Sequence, residues 1–378
     1  MSDAPLPVYQ AGDFYVPRFE VKLGNRQQKG DLIRDVIQVT YKDSVEEIDN
    51  FELTVNNWDA EARKFKYSDR ALFNTGQEVE LRMGYLGQGE MRTMIRGEIT
   101  GLKPSFPSSG QPTLAVSGLN VLHRLRKEQK SDRYEGLTFS QIAERICGRL
   151  PVRFIKPQLP TPETPLAHLI QDNQYDLLFL LALAREVGYE LLVKEDSEGP
   201  AVTFGEGASS DRVTYRLSYG RSLIDFQPTL STANQVSEVV VRGWDAAKGE
   251  EIEETANQGS LAGSTGLANK VKVGTPPPAK DRKEVIGNRA VRDRQEARDL
   301  ARATLARINS ELVKANGSVV GLPSLRAGSD LAIDGLGLRF NGRYFVTATT
   351  HTIGTSGYVT QFECKLVELS HRSGGEAL

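Results

Sequence analysis

The sequence predicts a mainly β protein in which two antiparallel β regions flank a small α+β module. Three observations predict this. Apolar and polar residues alternate with a period of two over residues 17–120, the spacing becomes helical over 131–210, and alternation returns after residue 211. Turn-rich segments separate the alternating runs, which is typical of antiparallel sandwiches and barrels.

The first β region is predicted over residues 17–130, after a flexible tail at residues 1–16. Its pattern is clearest where Phe51, Leu53 and Val55 alternate with Glu52 and Thr54. The expected strands cover residues 19–23, 36–41, 51–55, 79–85, 91–101 and 113–117.

The middle module is predicted over residues 131–210. Thr138 and Gln141 have the spacing of a capping box, so a helix begins there, and Pro151 ends it. A second helix is expected over residues 173–188, ending at Gly188, and residues 189–193 and 201–204 would form a hairpin against it.

The second β region is predicted over residues 211–370, with a flexible tail at 371–378. The expected strands cover residues 213–219, 236–244, 331–333, 342–350 and 358–366, and a helix covers 291–313. Residues 246–288 lack periodicity and contain three consecutive prolines, so we predict a long mobile loop that could serve as a docking arm.

Composition excludes several functional classes. The 378 residues suggest two or three domains. Lys and Arg number 47 against 49 Asp and Glu, so nucleic acid is not expected as a partner. The longest apolar run, 177–184, is too short for a membrane helix, and the N-terminus does not resemble a signal peptide. We expect neither membrane insertion nor secretory export.

No catalytic, cofactor or metal site is predicted. The four histidines lack the spacing of metal ligands, and His351 is expected to be structural or exposed. Cys147 and Cys364 are expected to be buried, inert thiols. Residues 335–340 resemble the start of a dinucleotide fingerprint but lack its third glycine, so they indicate a β-turn. The chain is therefore not expected to be an enzyme.

Local charge leaves two interpretations open. Residues 124–133 carry five basic side chains, whereas residues 250–254 are acidic. Both could be solvated faces, or they could be complementary patches between copies of the chain or with a partner.

Several motifs occur in the order found in one family. They lie at residues 49–57, 134–138, 171–189, 239–245, 321–329, 335–344, 350–352 and 357–358. Together they resemble phage late control protein D, the tail hub family, which is similar to the N-terminal region of VgrG and to hubs of contractile injection systems. Tyr175 stands where the family usually has serine.

The resemblance implies a trimeric hub with two β-barrels that are similar to tail-tube subunits. Such a hub joins a six-fold inner tube to a three-fold spike, which we expect on a separate chain. Other expected partners are baseplate proteins, and a tape-measure protein or cargo is a further candidate. The hub would assemble in the bacterial cytoplasm and then reside in the baseplate of the particle. The candidate interface residues are Arg124, Arg126, Lys127, Lys130, Arg242, Trp244, Arg339, Phe340 and Tyr344.

Two alternatives remain open from the sequence. One is a peptidoglycan-degrading enzyme of the tail, and the other is a β-rich module that binds a ligand or carbohydrate. The first lacks a catalytic constellation, and the second would need an aromatic platform that Trp58 and Trp244 are too separated to supply.

Overall fold

A computed structural model provides the structure. It describes residues 6–7, 16–24, 26–68, 72–87, 91–156, 163–166, 168–196, 198–205, 213–245, 248–257, 282–287, 291 and 293–369. Most of the two predicted tails lies outside these residues.

Residues 6–120 form the first part of the chain, and all six strands predicted there are present. The elements are β1 (Leu6–Pro7), β2 (Pro17–Leu23), β3 (Arg26–Gln27), α1 (Asp31–Asp35), β4 (Val36–Ser44), β5 (Asn50–Asn56), β6 (Trp58–Asp59), β7 (Lys64–Phe65), β8 (Glu78–Tyr85), β9 (Arg92–Ser105) and β10 (Thr113–Asn120). The period of two holds in β5, where Phe51, Leu53 and Val55 are at most 1% exposed.

The middle module packs two helices against short strands. Its elements are a 3-10 helix (Val121–Arg126), β11 (Gln129–Tyr134), α2 (Phe139–Cys147), β12 (Arg153–Ile155), β13 (Leu169–Tyr175), α3 (Asp176–Val187), β14 (Glu190–Asp196) and β15 (Gly199–Gly205). The capping box at Thr138 and Gln141 is confirmed. The second helix begins at Asp176, not at residue 173, because the preceding residues pair with β11.

Residues 213–369 form the last part. Its elements are β16 (Val213–Ser218), β17 (Leu223–Leu230), β18 (Glu238–Asp245), β19 (Glu250–Asn257), β20 (Lys283–Ile286), α4 (Arg294–Ser310), β21 (Val313–Val320), β22 (Asp330–Asp334), β23 (Gly342–Gly354) and β24 (Gly357–Leu369). We call β18–β20 with α4 the insertion.

The predicted loop at 246–288 is wrong in two places. β19 and β20 both lie within it, and they flank β18 in a three-stranded sheet. Only Ile252 and Ala256 of β19 are buried, against α4, and its other residues are mostly charged. Two apolar residues four apart do not produce visible alternation. Residues 258–281 of the loop lie outside the described part of the chain.

Among the described residues, fourteen strands form one large sheet. We call β2, β4, β5, β8, β9 and β10 the first half, and β16, β17, β21, β22, β23 and β24 the second half. Antiparallel pairing of β23 with β4, from Ala348–Ser44 to Ile353–Val39, connects the halves, and we call it the joint. The mainly β fold class is confirmed, and the two β regions are continuous through this joint.

The two halves share one strand order. It is β2–β8–β9–β10–β5–β4 in the first half and β16–β22–β23–β24–β21–β17 in the second. When the strands of each half are numbered along the chain, both orders become 1-4-5-6-3-2. One pair differs, because β2 and β8 are antiparallel whereas β16 and β22 are parallel. A shared order of this complexity indicates one repeated topology, although no repeat is visible in the sequence.

Each half surrounds its own apolar core. The first core centres on residues such as Leu53, Leu81 and Ile95, and the second on Leu331, Val346 and Leu366. The first core also contains Ile353 and Tyr358 of the second half, so apolar packing crosses the joint. Separate clusters lie in the middle module and within the insertion, between its sheet and α4.

Candidate functional site

The predicted basic segment lies on the 3-10 helix and the start of β11. Arg124 pairs with Glu98, and Lys130 Nζ lies 3.2 Å from a carboxylate oxygen of Glu128. Arg126 and Lys127 are exposed. These residues border a cavity of about 620 Å³ between the 3-10 helix and the ends of α2 and α3.

A carboxylate offsets much of the charge at this cavity. Asp176, at the start of α3, is 3% exposed. It pairs with Arg149 and accepts a 3.0 Å hydrogen bond from Gln171. Arg149 and Lys130 are therefore paired with carboxylates of this chain, as is Arg124. Arg126 and Lys127 provide the exposed positive charge of the cavity.

The other predicted interface residues lie on two separate elements. Arg242 and Trp244 are on β18, where Arg242 Nε lies 2.9 Å from Glu253 and Trp244 is 61% exposed. Arg339 is exposed and Phe340 half-buried in the connection from β22 to β23.

Tyr344 is not a surface residue. It is 0% exposed in the second core, and its hydroxyl donates a 2.7 Å hydrogen bond to the Phe340 carbonyl. The prediction of Tyr344 as an interface residue is therefore wrong. Neighbouring side chains of a strand point to opposite faces, and Tyr344, which follows the half-buried Arg343, faces the core.

The joint contains a buried ion pair. Arg326 lies in the connection between β21 and β22 and reaches into the first half. Its Nε donates a 2.6 Å hydrogen bond to Asp43 of β4, and its Nη2 donates to Tyr41 and, at 3.1 Å, to the Met94 carbonyl. Asp43 also accepts from the Ala327 amide at 3.1 Å and from the Thr349 hydroxyl. One guanidinium thus connects β4, β9 and the second half.

Burial and these contacts shift several pKa values. Burial alone would lower the pKa of Arg326, but the neighbouring Tyr41 and Asp43 oxygens raise it above its ordinary value. Burial, with the charge of Asp43, raises the pKa of Asp49 to about 7. Asp49 accepts a 2.9 Å hydrogen bond from Asn120.

His351 is a neutral structural residue of the joint. It is 0% exposed, Nε2 lies 2.9 Å from the Leu325 carbonyl, and Nδ1 lies 3.0 Å from the Tyr358 hydroxyl. Nε2 therefore carries the proton and donates, while Nδ1 accepts. Burial lowers the pKa of His351 to about 4. A general-base role is not supported, since both nitrogens are engaged.

Sequence reasoning missed the ion pair of the joint, although one signal was available. Val39, Tyr41 and Asp43 alternate along β4 and face the same side, and all three are buried. A carboxylate at a core-facing position requires a cationic or hydrogen-bonding partner.

The two halves also share two β-bulges. The pairing register of β9 with β10 skips Thr100, and that of β23 with β24 skips Thr347. In β9 the bulge lies two residues after the last residue that pairs with β8. In β23 it likewise lies two residues after the last residue that pairs with β22. The register of β4 with β5 skips Ile37, and that of β17 with β21 skips Ile224. The bulges therefore align the two halves residue by residue.

Comparison with known families assigns the chain. A family model described as the Alg8 N-terminal domain matches residues 18–355. The chain belongs to this family. A search of curated protein sequences finds no match.

Several solved structures that share this fold are tail or secretion proteins. The 43 kDa tail protein of prophage MuSo2 from Shewanella oneidensis has a TM-score of 0.69 at 16% identity, covering 92% of this chain and 98% of that one. A tail protein from Neisseria meningitidis has a TM-score of 0.67 at 13% identity, covering 93% and 97%. A component of the type VI secretion system of Escherichia coli has a TM-score of 0.56 at 15% identity, covering 95% and 79%. The fold of this chain confirms the predicted resemblance to tail hub proteins.

Two further findings concern the described residues only. They contain no group of three or more His, Cys, Asp or Glu side chains placed to hold a metal ion. No helix among them has both the length and the apolar character needed to cross a membrane.

Proposed function

We propose that this chain is the structural hub of a contractile phage tail or contractile injection system. It acts as a homotrimer that joins the six-fold inner tube to the three-fold spike. The shared strand order of the two halves carries this proposal. Three chains would supply six domains of one topology, which suits a six-fold partner while the assembly keeps three-fold symmetry.

The likeness in fold to prophage tail proteins and a type VI secretion component supports a role in the tail or baseplate. In this role the chain binds the tube protein, a spike protein and other baseplate proteins, and it performs no catalysis. A tape-measure protein or cargo is a further candidate partner. The hub assembles in the bacterial cytoplasm and then resides in the baseplate of the particle.

Stoichiometry tests the proposal. Quantitative mass spectrometry of purified contractile particles should find three copies of this chain for each particle, with the tube protein as the internal standard. The isolated assembly should have three times the chain mass of 41.7 kDa by native mass spectrometry. Absence of the chain from intact particles would contradict a hub role.

A further inference from the structure

The strand pairing at the joint shows an arrangement that a second contact, between copies of the chain, can repeat. In β23, the residues before the Thr347 bulge pair with β22, and the residues after it, Ala348 to Ile353, pair with β4. Because of the bulge, the same edge of β23 pairs with β22 of its own half before Thr347 and with β4 of the other half after it. The partner strand β4 is the second strand of the first half and carries the bulge at Ile37.

The corresponding edges of β9 and β17 have no partner strand among the described residues. In β9, the residues before the Thr100 bulge pair with β8, and residues 101–105 pair only with β10 among the described strands. β17, the counterpart of β4, pairs only with β21 within the described part of the chain. Apolar side chains are exposed at both edges: Leu102 is 39%, Phe106 58% and Ile224 61% exposed.

We propose that β9 of one copy pairs with β17 of the next copy, in the register that β23 and β4 use within the chain. This inference rests on the proposed trimer and specifies its interface. The aligned bulges make Thr100 equivalent to Thr347 and Ile224 equivalent to Ile37. Leu102 then lies opposite Leu230 of the next copy, and Lys103 opposite Thr229. The joint within each chain and the contact between copies then alternate around the assembly with one head-to-tail geometry, and three chains close into a ring.

The contact between copies differs from the joint in charge. Asp43, which binds Arg326 in the joint, corresponds to Leu230 in β17. Leu102 and Leu230 thus replace the pair Thr349 and Asp43, so an apolar contact stands where the joint has a buried ion pair.

The contact between copies also has fewer hydrogen bonds. The Val45 amide donates to the Thr347 carbonyl at 2.9 Å, so alternate pairs from there, including His351 with Tyr41, are the hydrogen-bonded ones. Their counterparts are Pro104 and Pro228, which have no amide hydrogen. Proline is tolerated at free edges for this reason. The interface between copies is therefore weaker than the joint and opens first.

Disulfide trapping tests the register. Lys103 and Thr229 would form a non-hydrogen-bonded pair, where Cβ atoms approach most closely. The double variant Lys103→Cys/Thr229→Cys, oxidised with diamide at high protein concentration, should give linked dimers and trimers on non-reducing gels. Each single variant should stay unlinked, and an equal mixture of the two single variants should give dimers only, because the contact is head-to-tail.

Two matched variants make the result decisive. Thr350→Cys/Lys42→Cys uses the equivalent pair in the joint and should form a disulfide within one chain. Lys103→Cys/Leu230→Cys shifts the register by one residue, which places the thiols on opposite faces, and should not link.

Native mass spectrometry of the unmodified chain separates the outcomes. Linked oligomers with the expected controls support the interface. A trimer that does not link through Lys103→Cys/Thr229→Cys, while the joint disulfide forms, overturns the interface and leaves the hub proposal standing. A monomer at every concentration, without linking, contradicts both.

Discussion

Replacing Arg326 with methionine should open the joint. Met keeps most of the side-chain length but removes the hydrogen bonds to Asp43, Tyr41 and the Met94 carbonyl. The Asp43 side chain is 6% exposed, so its carboxylate would be left buried without its cation. Removing one partner of such a pair costs about 3–5 kcal/mol. Each unit of 1.36 kcal/mol is about a tenfold change in an equilibrium.

Native-state hydrogen exchange measures this cost locally. Amides of β4 and β23 should exchange roughly two to four orders of magnitude faster in Arg326→Met. Amides of β18 in the insertion should be unchanged, since β18 pairs only with β19 and β20 among the described strands and lies outside the joint. Adding Asp43→Asn should restore part of the protection, because the unpaired charge is removed. Less than a tenfold change in Arg326→Met, or a further loss in the double variant, would refute the reasoning.

Three other predictions concern stability. The difference in unfolding free energy between the unmodified chain and His351→Gln, measured by urea titration, should fall as the pH drops from about 6.5 to about 4, because the lowered pKa of His351 favours its neutral form in the folded state. Taking the difference removes the opposite contribution of Asp49, whose raised pKa favours folding as the pH falls. Thr138→Ala should lose about 1 kcal/mol of stability in the middle module through loss of the capping box, whereas Thr164→Ala, at an exposed site, should lose little by the same titration. Gly321→Ala should lower the melting temperature because its Cβ would lie 2.0 Å from the Tyr358 ring; Gly287→Ala, with nothing within 4 Å, is its control.

The sequence predicts strands well where large apolar residues alternate with polar ones, as in β5 and β8. It misses β21, whose core-facing positions include Ala315 and Gly317. A Cβ at Gly317 would lie 2.6 Å from the Phe362 ring, so the aromatic neighbour requires the small residue. β17 is missed because Pro228 interrupts an edge strand whose other positions are largely exposed. Tertiary packing, and not local pattern, decides these strands.

The candidate interface could be predicted only in part. Basic composition identified the segment around Arg124, but not that Glu98 binds it. The repeated topology and its bulges follow from strand pairing over long separations, which a single sequence does not contain. The corresponding residues of the two halves, such as Asp43 and Leu230, are chemically unlike, so the repeat leaves no visible sequence similarity.

The ion pair of the joint cannot form until long after its first residue has been synthesised. Asp43 and Arg326 are 283 residues apart in the chain. At about 5–20 residues per second, a ribosome needs on the order of 15–60 s between them. During that interval β4 is complete but its outer edge lacks β23, and an unpaired strand edge is a site of aggregation. We therefore expect the outer edge of β4 to need protection from aggregation until β23 emerges.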